Sequence, residues 1–233
     1  MQTTTIRTTL AGYVLAMLAL PATAIDLETL ADDPCLMTPG ATVAELFDVP
    51  EAEIKQRELK MKRRQMCTTK WSGADHAVFT EARIEIMDSQ EKAAKRFKSR
   101  TRSASREEMA AAAQILRDKM DAADKTNKSQ KSDSAKRTEN SIIGAASQTP
   151  IEFEDVDAMG DEARFDLGEG KLVARQGAAI ITIEAYSGPG MPIPSKRDVK
   201  SMIKADREWR QDTMPARKQQ TLQLAETLFK RLK

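Results

Sequence analysis

Alternation between apolar and polar residues in the second half of the chain predicts an antiparallel sheet. In the clearest segment Ile181 and Ile183 alternate with Thr182, as expected when successive side chains point to opposite faces of a strand. The connections between such segments are short and contain glycine, which is typical of a meander. The predicted strands are residues 151–156, 162–167, 171–175 and 178–186.

The first half of the chain contains a shorter alternating pattern. Residues 66–71 and 78–87 are predicted to be strands, and Cys67, Thr69 and Trp71 fall on one face of the first strand. Two strands do not form a stable sheet by themselves. This hairpin therefore needs further strands from elsewhere in the chain.

Helices are predicted where capping residues precede apolar residues at spacings of three and four. The pair Thr42 and Glu45 has the spacing of a capping box for a short helix, and the pair Ser105 and Glu108 has it for a helix over 107–120. A basic helix is also expected from residue 90 to 98. The stripe expected to face inward from the 107–120 helix is Met109, Ala112, Ala113, Leu116 and Met120.

The C-terminal region is expected to hold two further helices, one opening at Ser195 and one beginning near Pro215. Together the elements predict an α+β fold, with an antiparallel sheet and amphipathic helices packed on it after an N-terminal signal peptide. The polar stretch 121–148 is rich in Lys, Ser and Asn, which indicates a linker or a helix extension. The expected organisation is a signal peptide at 1–24, an N-terminal half at 25–120 (helix, hairpin, helix), this linker, and a C-terminal half at 149–233 (meander, two helices) that forms one compact domain with 25–120.

The N-terminus has the layout of a secretory signal peptide. Arg7 precedes an uncharged apolar run from Leu10 to Leu20, and small residues at Ala22 and Ala24 follow Pro21. Eleven residues in a helix span about 16 Å, whereas the hydrocarbon core of a membrane is about 30 Å thick. We therefore expect cleavage after Ala24 and a mature protein in the periplasm or the medium, without a transmembrane anchor.

Cys35 and Cys67 are the only two cysteines. In an oxidising compartment a pair most simply forms a disulfide, and closing a loop of this length contributes roughly 3.5 kcal/mol. Two free thiols and intermolecular pairing remain open alternatives at this point. The lone His76 does not supply enough further ligands for a metal site built on the two cysteines.

Composition excludes several classes of protein. With 37 Lys and Arg against 35 Asp and Glu, the net charge of +2 is too balanced for a protein that coats nucleic acid. The chain contains no P-loop, Gly-x-Ser-x-Gly or His-Glu-x-x-His motif, and His76 beside Asp75 is more simply an exposed side chain than a general base. We expect no catalytic residues, no metal ligands, no cofactor and no nucleic-acid partner.

Residues 51–65 form the most strongly charged stretch of the first half. A run of basic residues within it is a candidate contact for an anionic surface such as phospholipid headgroups, with a solvated hairpin or helix face as the alternative. The residues of this candidate contact are Lys60, Lys62, Arg63 and Arg64.

Three short motifs resemble those of a family of exported bacterial proteins of unknown function, many of them lipoproteins. The Asp-Pro-Cys-Leu-Met-Thr segment at 33–38 resembles the Asp-Pro-Cys-x-Leu-Leu-Thr opening of that family. A Gly-Asp-Glu-Ala turn at 160–163 and a Leu-Val-Ala-Arg-Gln-Gly segment at 172–177 are similar to later family motifs. A similar domain forms the extracellular sensor of a mycobacterial serine/threonine kinase. The chain departs from the family in its long polar insert at 121–148 and in lacking a cysteine at the signal cleavage site.

The resemblance implies an antiparallel sheet with helices against it, a structural disulfide and ligand sensing. We therefore expect a non-catalytic ligand-binding or sensing protein of the cell envelope, whose partner is a small molecule or an envelope component. The candidate ligand cleft is formed by Trp71, Gly188, Pro189 and Gly190. The alternative is an interaction protein that docks on an anionic envelope polymer or membrane surface, and a hydrolytic enzyme is a third possibility.

Overall fold

The computed structural model of the protein describes residues 24–126, 143–144, 150–195 and 198–232. The predicted signal peptide, including Ala22, lies outside these residues except for Ala24, which is exposed. Most of the predicted linker 121–148 also lies outside them. Its first six residues continue a helix.

Seven antiparallel strands form one sheet, which confirms the predicted α+β fold. Across the sheet the order is β1-β2-β3-β7-β6-β5-β4, so the hairpin of the first half gains its missing neighbours from the meander of the second half. The two halves join through β3 and β7, which pair from Ala77 opposite Gly188 to Ile86 opposite Ala179. In chain order the strands are β1 (Lys55–Met61), β2 (Arg64–Ser72), β3 (Ala77–Ile86), β4 (Phe153–Asp155), β5 (Glu162–Asp166), β6 (Lys171–Gln176) and β7 (Ala179–Gly188).

Five helices are described: α1 (Leu27–Asp32), α2 (Gly40–Phe47), α3 (Gln90–Arg100), α4 (Arg106–Thr126) and α5 (Val199–Phe229). The predicted capping box of α4 is present, because the Ser105 and Glu108 side chains each accept a hydrogen bond from the backbone N–H of the other residue. The capping box predicted at Thr42 is wrong. Helix α2 begins at Gly40, directly after Pro39, and no side chain caps its N-terminus.

The C-terminal region forms one helix of 31 residues instead of the two that Pro215 suggested. Asp198 caps it by accepting a hydrogen bond from the backbone N–H of Ser201. Pro215 has no N–H to donate to the preceding turn, which weakens a helix locally. Burial of Leu224, Ala225 and Leu228 in the main core offsets that loss and keeps the helix continuous.

Helices cover the two faces of the sheet unequally. On the first face α1, α2 and the C-terminal half of α5 supply side chains to the main core, which includes Leu30, Val43, Phe165, Ile183 and Leu228. On the second face a smaller cluster joins Phe97 of α3 to Val173 and Ile180. Strand β1 lies at the edge of the sheet and is exposed at every position.

Helix α4 does not bury the stripe expected from its sequence. Ala113 is buried, whereas Leu116 remains 48% exposed and the neighbouring Ile115 is 57% exposed. Helical spacing alone therefore predicted the helix but not a partner for its apolar residues.

Ile25, near the start of the described residues, lies beside Arg231 and Leu232 at their end. The Ile25 N–H donates to the Arg231 carbonyl at 2.7 Å, and Ile25 forms a parallel bridge with Leu232. The Ile25 side chain belongs to the main core. The start of the described chain is thus held by its end.

Candidate functional site

The predicted disulfide joins Cys35 and Cys67, whose Cα atoms are 4.9 Å apart. It ties the 3-10 turn Pro34–Met37 to β2, on the first face of the sheet. The Gln56 side chain crosses the same region and donates to the Thr38 carbonyl and the Thr69 hydroxyl. The described residues include no free cysteine, and the pair is a structural tie.

Residues of the predicted ligand cleft are held by local contacts. The Trp71 indole N–H donates to Glu53, and its ring lies 5.8 Å from that of His76. Gly188 is buried and pairs with Ala77. The exposed Pro189 accepts hydrogen bonds at its carbonyl from the side chains of Tyr186 and Trp209, and Gly190 beside it is also exposed. That these residues bind a ligand stays a prediction.

His76 has a serine partner but no orienting acid. Its Nε2 lies 2.7 Å from the Ser187 hydroxyl. No carboxylate of the described residues hydrogen-bonds to the His76 ring. A nucleophile, a base and a third group that holds the base are the parts such catalysis needs, and only two of them are together here.

A cavity of about 750 Å³ lies elsewhere, between the C-terminal end of α3 and the segment before β5. Its walls combine three basic and four acidic residues. Arg164 is already bound to Asp155 and to the Thr101 carbonyl, and Arg102 is bound to Glu108. The charges of this cavity are therefore nearly balanced, with little excess to select an ionic ligand. The basic and acidic lining residues are Lys98, Arg102, Arg164, Asp155, Asp157, Asp161 and Glu162.

A far less balanced surface is formed by the β1–β2 hairpin and α3, which we call the basic surface. The hairpin, residues 55–72, carries seven basic side chains and one acidic side chain, and α3 carries five and one. Their combined net charge is +10, whereas the whole chain has +2, so all other residues together sum to −8. The near-neutral composition thus conceals a strongly uneven distribution of charge along the chain.

Two carboxylates at the end of β3 bring the hairpin and α3 together. Asp88 lies 3.9 Å from Arg63 of the hairpin and 2.6 Å from Lys92 of α3. Glu85 is paired in the same way with arginines from both elements. The side chains of Arg63 and Lys92 hold the pKa of Asp88 below its ordinary value, mainly through the Lys92 hydrogen bond.

The four predicted contact residues separate into two groups. Lys62 and Arg63 lie in the exposed turn between β1 and β2. Lys60 instead reaches the Asp32 carbonyl and lies 3.4 Å from Glu58. Arg64 is half-buried and paired with Glu85. The turn is therefore the part of this run that is most available to a partner.

Apolar side chains accompany the charges on β1. Leu59 and Met61 are 40% and 43% exposed, and they lie on either side of Lys60. Lys55 and Arg57 share their face of the strand, because residues two apart point the same way. One edge strand thus presents both cations and apolar groups to solvent.

Comparison with known proteins shows no significant similarity to this chain. No family model matches the chain, and no curated protein or solved structure is significantly similar to it. The resemblance to the exported Asp-Pro-Cys family therefore stays a prediction.

Two features are absent from the described residues. Their His, Cys, Asp and Glu side chains include no group of three that is placed to hold a metal ion. None of the described helices combines the length and apolar character that a membrane span requires.

Sequence reasoning missed the arginines that fold against Glu85. In the sequence, Arg83 and Glu85 lie two residues apart in a predicted strand, and the segment that forms α3 is rich in basic residues. The register that sets Arg64 opposite Glu85, and the packing of α3 beside that strand, depend on contacts distant in sequence. Only the fold brings these groups together.

Proposed function

We propose that this protein is a non-catalytic binding protein of the cell envelope that docks on the anionic phospholipid surface of a membrane. The observation that carries the proposal is the concentration of a net charge of +10 on the basic surface, against −8 for the rest of the chain. Such an excess of positive charge attracts the basic surface to an anionic layer.

The expected free energy of binding is large enough for reversible attachment to a membrane. A Lys or Arg close to an anionic leaflet contributes about 1 kcal/mol, within a screening distance of about 10 Å. The exposed Leu59 and Met61 add apolar area that can enter the headgroup region. Because the cations and these two residues share an edge strand, they can approach a flat surface together.

Vesicle sedimentation tests the proposal. We expect the protein to bind vesicles containing about 30% phosphatidylglycerol and not vesicles of phosphatidylcholine alone. Binding to the anionic vesicles should decrease steeply as salt rises from about 50 to about 500 mM, because screening weakens exposed charges. Undetectable binding, or binding that salt leaves unchanged, would overturn the proposal.

A matched pair of variants identifies the surface. K55E/R57E/K62E reverses three exposed charges of the hairpin, whereas R106E/K119E/K200E reverses three exposed charges elsewhere. We expect the first variant to lose about a hundredfold in vesicle affinity and the second less than about threefold. Equal losses would show that net charge alone, and not the basic surface, determines binding.

We also propose that the protein is exported and acts in the periplasm or outside the cell. The N-terminal signal layout and the disulfide support this location. The intact mass of the protein from its own host decides the matter. A mature chain that begins at Ile25 and holds an oxidised cysteine pair is expected, and an unprocessed N-terminus contradicts export.

A further inference from the structure

Four arginines from three elements converge on the second face of the sheet. Arg64 of β2, Arg96 of α3 and Arg100 of α3 lie 3.8, 3.8 and 3.2 Å from the carboxylate of Glu85. Arg83, on the same strand as Glu85, is 2.7 Å from Glu81. We call these four residues the arginine cluster.

The arginine cluster carries more positive charge than its acids neutralise. Four guanidinium groups face two carboxylates, Glu85 and Glu81. Asp88, the next acid along the chain, is occupied by Lys92 and Arg63. The cluster and its two acids therefore have a net charge of +2.

Burial of these side chains increases the free-energy cost of the excess positive charge. Glu85 is only 11% exposed, and Arg83 and Arg100 are 23% and 21% exposed. Burial lowers the pKa of Arg100, Glu85 raises it, and Arg83, Arg96 and Arg64 each lower it by repulsion. The Nε–H of Arg83 is also buried without a hydrogen-bond partner among the described residues. An additional anion would relieve the repulsion between the guanidinium groups.

We infer that the arginine cluster binds a phosphate group. Guanidinium groups offer paired N–H donors that match the oxygens of a phosphate, and several can share one dianion. Arg64 and Arg96 are the more exposed members, at 37% and 46%, and they flank Glu85 from the hairpin and from the helix. Their side chains are the entrance of the site, and Arg83 and Arg100 form its deeper part.

The phosphate can come from two sources. One is the headgroup of a lipid with a terminal phosphate, which rests on the proposed membrane function and gives it a preferred lipid. The other is a free phosphate or a small phosphomonoester, which does not depend on that function. Both present the same tetrahedral dianion to the arginine cluster.

Titration with inorganic phosphate at constant ionic strength tests the shared chemistry. We expect saturable shifts of the arginine Nε–H signals in a nitrogen-15 NMR spectrum. R64Q/R96Q should weaken phosphate binding by about tenfold or more, because it removes two bidentate donors. K62Q/R63Q removes the same charge from the adjacent turn and should change it less than about twofold.

The amide spectrum of R64Q/R96Q reports whether the variant remains folded. If it does not, R64K/R96K keeps the charge and loses the paired donors, and it should still bind phosphate more weakly than the wild type. Absence of saturable shifts in the wild type would overturn the inference. Equal weakening in R64Q/R96Q and K62Q/R63Q would overturn it as well.

Vesicles separate the two sources. If a lipid headgroup is bound, vesicles with phosphatidic acid should bind better than phosphatidylglycerol vesicles of equal surface potential, and R64Q/R96Q should abolish the difference. If only free phosphate is bound, the two vesicles bind alike while the NMR shifts remain. Phosphate binding without any vesicle binding would refute the membrane function alone, and salt-dependent vesicle binding without phosphate shifts would refute the phosphate site alone.

Discussion

Asp166 closes the turn between β5 and β6 with its own side chain. Its Oδ1 accepts hydrogen bonds from the backbone N–H groups of Gly168 and Glu169, at 2.8 and 2.9 Å. Burial raises the pKa of Asp166, and this effect exceeds the lowering by the two hydrogen bonds. The folded state therefore favours the protonated carboxyl, so the contribution of Asp166 to stability is largest below its unfolded pKa and is lost as pH rises through its folded pKa.

The variant D166N should therefore stabilise the protein at neutral pH. Its side-chain oxygen still accepts both turn hydrogen bonds, and no charge is buried. We expect the melting temperature to exceed that of the wild type at about pH 7 and to match it at about pH 2.5, where the carboxyl is protonated. Thermal unfolding at both pH values measures this. The exposed Asp157 provides the control, because D157N should give no gain at either pH.

Arg217 shows how the same molecule neutralises a buried cation. It is 2% exposed, lies 3.0 Å from Glu184, and has its guanidinium within 4.5 Å of the ring centroids of Tyr186 and Trp209. Lys171 and Arg210 also lie within 4.0 Å of Glu184. This aromatic enclosure contrasts with the arginine cluster, where no aromatic ring covers the excess charge in the described contacts.

At the scale of elements, α5 supplies hydrogen-bond partners to the sheet where β6 ends. Strand β7 continues beyond β6, and side chains of the helix take over the pairing. The Thr221 hydroxyl accepts from the Ala185 N–H at 2.9 Å, and Gln220 both accepts from the Ser187 N–H and donates to the Ser187 carbonyl. The helix can therefore pack its C-terminal half on the first face and place Arg217 against Glu184 on the second.

Substitution T221V should test this pairing. The variant keeps the shape of the side chain but leaves the buried Ala185 N–H without its acceptor, which costs about 2 kcal/mol. Urea unfolding measures the change. T227V is the matched control, because the half-buried Thr227 on the same helix makes only an exposed hydrogen bond, and loss of its hydroxyl should cost less than about 0.5 kcal/mol. Equal effects of the two variants would refute a special role for Thr221.

Sequence patterns predicted those elements whose signal is local. The alternation at Ile181 to Ile183 found β7, and the Ser105 to Glu108 spacing found the start of α4. Pro215 led to the wrong prediction of two C-terminal helices. A proline breaks a helix only where packing does not hold the helix together. The charges of the candidate site were visible as runs, but their pairing depends on strand register and on the path of α3, which no local pattern contains.

At the scale of the whole molecule, the disulfide fastens the N-terminal segment to the sheet. Its two cysteines are 32 positions apart in the sequence, and the segment it holds contributes Leu30, Met37 and Val43 to the core. The disulfide therefore stabilises the fold by restricting the unfolded chain while joining two parts of one hydrophobic core.

Removal of the disulfide in C35S/C67S should cost about 3.5 kcal/mol, from the entropy of a loop of this length. Urea unfolding of the variant and of the wild type, with and without reductant, measures it. Reductant should bring the wild type to the stability of the variant and should leave the variant unchanged. A variant as stable as the oxidised wild type would show that the loop is already restricted in the unfolded state.

The bridge between Ile25 and Leu232 sets the order in which this protein can mature. The contact at Ile25 needs residues that are synthesised much later, so Ile25 lacks its partner while most of the chain is being made. Until those residues are available, Ile25 has no place in the core. The core can therefore close at this point only after the chain has been made as far as Leu232.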